Sequence, residues 1–153
     1  MVMKPGPTIN RVILSYREEN FDTACDELAR ALGIIDFEIF DPPGLGLRVA
    51  ISWTAGIELI SPRGREGIAD AIRSQIDERG EGLSSLVLAI PDLGEGEARA
   101  AAAGYPPYGR VDCFSANPAW RDRFSVATEA PLPRIAGVEL VLIQIKEKPN
   151  QAG

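Results

Sequence analysis

AGIELI at residues 55–60 returns as AGVELV at residues 136–141. Each copy sets a turn-like Ala-Gly ahead of alternating apolar and acidic residues, the pattern of a strand leaving a tight turn. Upstream of each copy lies a second match, RVILSY at 11–16 and SLVLAI at 85–90, each followed by a helix-like segment. Opening and closing strands that recur in the same order mark two copies of one module. The fold class this implies is α+β, with strand, helix and three strands occurring twice.

In the first copy, Val12, Leu14 and Tyr16 alternate with Arg11, Ile13 and Ser15, which predicts a strand over 10–16. Asn20 is placed to cap a helix carrying Phe21, Cys25, Leu28 and Leu32, with Gly33 closing it. Strands are expected at 34–40, 46–53 and 57–61, the first two joined by the turn Asp41-Pro42-Pro43-Gly44. Ile68, Ile72 and Ile76 then recur at helical spacing, so residues 62–80 read as a largely helical connector.

The second copy restarts with a strand at 83–90. Asp92 with Glu95 forms a capping-box pattern opening an Ala-rich helix that ends at Gly104. Strands at 109–114 and 120–127 flank the turn signal Asn117-Pro118, and a final strand runs from Val138 to Lys146. The modules are thus bounded at about 10–61 and 83–146 within a single domain of residues 1–150.

Composition narrows the function. Of 153 residues, 45% are hydrophobic and 25% charged, which suits a globular core. No apolar run reaches the ~20 residues of a membrane span, and the N-terminus has no secretory pattern, so a cytoplasmic setting is expected. A net charge of −6 argues against nucleic acid, whose phosphates demand a cationic field. The chain has no histidine, which removes one very common metal ligand and proton carrier. Neither Cys25 nor Cys113 has an imidazole to activate it, so both read as buried fillers.

The stretch from Gly56 to Gly104 resembles the vicinal oxygen chelate superfamily: GIELISP, then DERGEGLSSLVLAIPDL, then the Ala-rich helix. Its layout is most similar to methylmalonyl-CoA epimerases and glyoxalase-like proteins. The resemblance implies two βαβββ modules whose eight strands form a curled mixed sheet, an incomplete barrel around a cleft, with helices outside. It also implies four metal-ligand positions, on the first and last strands of each module. Carried over, these fall at Arg11, Glu58, Ser85 and either Gln144 or Glu139. Aligning IQIKEKP with IELISP selects Gln144, the preferred register, whereas the AGVELV repeat selects Glu139. The two stand five apart and so point to opposite faces of a strand. Where epimerase-like members usually read GLHH, this chain has GLSS with Ser84 and Ser85.

One carboxylate, an arginine, a serine and an amide make a poor set for a transition metal. The expectation is therefore no metal and no other cofactor, with Arg11 pairing Glu58 in the vacated place. Two functions follow. In the first, Glu58 is a general base and Arg11 stabilises a developing enolate, in isomerase, epimerase or lyase-type proton transfer on an organic acid, thioester or polycyclic metabolite. In the second, the protein sequesters a small molecule without chemistry, like the bleomycin-resistance branch. Ser85, Gln144, Glu139, Trp53 and Arg63 are the candidate ligand-binding residues. A homodimer is the expected assembly by analogy.

Overall fold

The computed structural model describes residues 5–150. It has the expected α+β class, with eight strands in mixed pairing and four helices. The chain divides into two compact units: residues 11–85, and the described parts of 1–10 and 86–153.

The first unit contains β1 (Thr8–Ser15) from Arg11 onward, α1 (Glu18–Leu32), β2 (Glu38–Phe40), β3 (Leu47–Ser52), β4 (Ile57–Pro62) and α2 (Ala69–Arg79). Its strands lie in the order β2-β3-β4-β1. β4 runs parallel to β1 and antiparallel to β3. Helix α1 buries Phe21, Ala24 and Cys25 against Ala50 and Leu59, with Leu14, Tyr16 and Ile57 around them. Alternation then sends Arg11, Ile13, Ile51 and Glu58 to the face opposite α1. On that face the ladder sets Glu58 between Ile13 of β1 and Ile51 of β3.

Helix α1 begins at Glu18 with Arg17 as its N-cap, three residues ahead of the expected Asn20. The cap comes from far along the chain: the Glu81 carboxylate accepts from Arg17 N and Asn20 Nδ2. Gly33 closes the helix in the left-handed region at φ 70°, as its position predicts. Helix α2 starts only at Ala69, because residues 63–68 are a loop packed against the β2–β3 turn. A Cβ on Gly67 would lie 2.5 Å from Gly44 O, so glycine is required at this crossing.

The second unit contains β5 (Gly82–Ala89) from Leu86 onward, α3 (Leu93–Ala102), β6 (Val111–Asp112), α4 (Cys113–Ala116), β7 (Phe124–Pro131) and β8 (Glu139–Glu147). Its strands lie in the order β5-β8-β7-β6. Leu93 of α3 packs with Ala130, Leu132 and Leu142, flanked by Leu88, Ile90 and Leu140. The strand expected at 109–114 shrinks to two residues. Asp112 accepts from Phe114 N and caps a helical turn instead. Asn117 does the same for Ala119, so the expected strand 120–127 starts later, at Phe124. Among the described residues no helix is long and apolar enough to cross a membrane.

Candidate functional site

Glu58 is delivered by a turn that polar side chains hold. Ser52, fully buried at the end of β3, donates to Asp36 Oδ1 at 2.7 Å and accepts from Ala55 N at 3.0 Å. Gly56, at φ 67°, completes the reversal into β4. The chain then presents Glu58 to the face opposite α1. There Arg11 Nε donates to Glu58 Oε2 at 2.7 Å, and the two side chains are only 5% and 10% exposed. The Trp53 ring lies against the same guanidinium, with Arg11 Cζ 5.3 Å from its centroid. Arg11, Glu58 and Trp53 therefore form one cluster, a charge pair backed by an aromatic face.

This arrangement does not suit a divalent cation. Glu58 already carries a full counter-charge, and a guanidinium is both permanently cationic and unable to coordinate. No three of His, Cys, Asp and Glu come together among the described residues.

The other candidates have contacts of their own. Arg63 ties the start of α1 to the β2–β3 turn, donating to Glu18 at 3.2 Å and Asp41 at 2.9 Å. Ser85 lies in a half-buried polar chain: Gln75 Nε2 donates to Ser84 Oγ, which lies 3.4 Å from Ser85 Oγ. Gln144 is on the wrong face for its expected role. It shares the α3 side of β8 with Leu140 and Leu142, and its Oε1 accepts from Leu93 N at 2.9 Å. The amide thus serves the start of α3, and its alignment with Glu58 is corrected. Glu139 takes the opposite face, 3.6 Å from Arg134, with both side chains substantially exposed.

Neither candidate is the ladder counterpart of Glu58. Tyr16 N donates to Ile60 O in the first unit, and Ile90 N donates to Ile143 O in the second. Superposing these bonds sets Ile60 on Ile143, and hence Glu58 on Val141. The place that holds a carboxylate in one unit is apolar in the other. Both cysteines are buried, and burial pushes the Cys25 thiol up to about 11, which keeps it protonated and inert at neutral pH.

Sequence reasoning missed the Asp36–Ser52 brace and the Arg134 partner of Glu139. A serine ahead of Trp-Thr-Ala-Gly is a legible turn signal. Nothing local, however, announces that Asp36 closes it from the other side of β2.

Neither a protein-family model nor a characterised protein sequence matches the chain. Solved structures do. Methylmalonyl-CoA epimerase from Mycobacterium tuberculosis is 18% identical, with a TM-score of 0.64 over 94% of this chain and 90% of that one. A variant of the Streptomyces coelicolor epimerase, solved with 2-nitronate-propionyl-CoA, is 15% identical, with a TM-score of 0.67 over 93% of this chain and 98% of that one. A variant of 4-hydroxymandelate synthase from Streptomyces coelicolor is 12% identical, with a TM-score of 0.65 over 94% of this chain and 49% of that one. The chain has the vicinal oxygen chelate fold.

Proposed function

We propose that this chain is a metal-independent, glyoxalase-like protein that acts on a small organic metabolite by proton transfer, in the manner of an isomerase or epimerase. The observation that carries the reading is the Arg11–Glu58 pair, a carboxylate and a guanidinium 2.7 Å apart. Fold likeness to methylmalonyl-CoA epimerases supports the reaction class and points to organic acids and acyl thioesters as ligands. An incoming carbonyl oxygen would draw Arg11 away from Glu58. The freed carboxylate removes a proton from the adjacent carbon, the electron pair moves to the carbonyl oxygen beside Arg11, and reprotonation completes the exchange. The reading carries with it a single domain of two modules, a homodimer and a cytoplasmic setting.

A second reading, a binding protein that sequesters a small molecule, is favoured by the near-complete burial of both charges. Such closure leaves Glu58 no open path to a substrate proton until the pair separates.

Solvent-deuterium incorporation at the α-carbon of a panel of carboxylic acids and acyl thioesters separates the two. Turnover by the wild type that Glu58→Gln lowers by about 100-fold or more supports proton transfer. Saturable binding without exchange, little altered by Glu58→Gln, supports sequestration. Elemental analysis of the purified protein tests the metal-independent part, which stoichiometric zinc, nickel, cobalt or manganese would refute.

A further inference from the structure

We propose that Arg11 is the resident cation of the first unit: its guanidinium occupies the place beside Glu58 that a divalent ion would need and keeps such an ion out. The inference rests on the metal-independent reading and deepens it, because it makes one side chain responsible for that property.

The geometry is specific. Glu58 stands between Ile13 and Ile51 on a face where its side chain is only 10% exposed. A carboxylate in such surroundings needs a positive partner, since an uncompensated buried charge costs several kcal/mol. Arg11 supplies it through Nε, and Trp53 holds the guanidinium from its flank. Nε lies part-way along the arginine side chain, at a reach from the backbone similar to that of the far nitrogen of an imidazole. Two donors each about 2.1 Å from a metal and at right angles to it stand about 3.0 Å apart. The 2.7 Å between Arg11 Nε and Glu58 Oε2 is within a few tenths of an ångström of that bite. Exchanging the guanidinium for an imidazole would thus turn a charge pair into a pair of ligands with little backbone movement.

The chain offers a clean background for the test, because it contains no histidine that could bind the probe elsewhere. Arg11→His is prepared without a histidine tag and melted with and without Ni2+, an ion that takes imidazole and carboxylate donors. Arg11→Lys, which keeps the charge, and the double variant Arg11→His/Glu58→Gln are melted alongside. The expected result is a Ni2+-dependent rise in melting temperature for Arg11→His alone, because an ion bound only by the folded chain stabilises it. Its affinity for Ni2+ should exceed that of the other forms by at least about tenfold. An Arg11→His chain that folds only when Ni2+ is present supports the proposal equally. An Arg11→His chain whose folding and melting ignore Ni2+ overturns it, as does an equal response from the Glu58→Gln double variant. A wild type that purifies with a stoichiometric divalent ion instead overturns the metal-independent reading beneath it.

Discussion

Glu58 and Glu139 occupy matching places in AGIELI and AGVELV, yet the two units use them differently. Glu58 is sealed against Arg11 at 2.7 Å, whereas Glu139 meets Arg134 at 3.6 Å with both side chains substantially exposed. The partners differ in origin as well. Arg11 comes from the neighbouring parallel strand, forty-seven residues away in sequence, whereas Arg134 comes from the adjacent hairpin. Ladder register adds to the contrast, because the second unit places Val141 where the first has Glu58. Identical dipeptides in a duplicated scaffold can thus acquire a buried charge pair in one copy and a solvated one in the other. Environment, more than residue type, decides what the glutamate is worth.

The largest expected difference between the units lies in these two pairs. Arg11→Met removes the buried cation that Glu58 meets at 2.7 Å and should lower unfolding free energy by about 3–5 kcal/mol in urea titration. Arg134→Met removes an exposed partner and should change it by no more than about 1 kcal/mol. Equal effects would break the comparison.

The helices make a second contrast. Asp92 accepts from Glu95 N at 3.0 Å and caps α3 from within, whereas α1 has no side-chain cap from its own N-cap residue. Asp92→Ala should therefore cost about 1 kcal/mol, read as a lower melting temperature.

The smallest effect concerns the turns ahead of the two glutamates. Ala136 has a φ of 53° and is the one non-glycine residue with positive φ among those described, while Ala55 does not share it. Ala136 and Gly137 are the central pair of a tight hairpin closed by Ile135 and Val138, a geometry that favours Asn-Gly. Ala136→Asn should raise stability by about 0.5–1 kcal/mol. The same change at Ala55 should bring no gain.

Much of this was legible in the chain. Strand–helix–strands, twice, followed from the repeat, and Gly33 and Asp92 carried the helix-end chemistry expected of them. The family resemblance and the absence of histidine set Arg11 beside Glu58, and the two side chains meet at 2.7 Å. The failures have physical causes. Alternation could not orient Gln144, because Leu140, Val141, Leu142 and Ile143 are apolar on both faces of β8. Asn20 looked like a cap, but Glu81, sixty-one residues on, supplies the acceptor and lets α1 begin earlier. The strand expected at 109–114 yielded to Asp112, whose side chain offers the following N–H groups a helical turn. At the two helix ends, a partner distant in sequence or a competing local hydrogen bond overrode the pattern.

A double-mutant cycle on Arg11 and Glu58 tests the central claim most directly, using urea unfolding of wild type, Arg11→Met, Glu58→Leu and the double variant. If the pair is a sealed, mutually dependent unit, each single change should cost about 3–5 kcal/mol and the double change far less than their sum. Single losses below about 1 kcal/mol that simply add would show two independent surface charges and contradict the account.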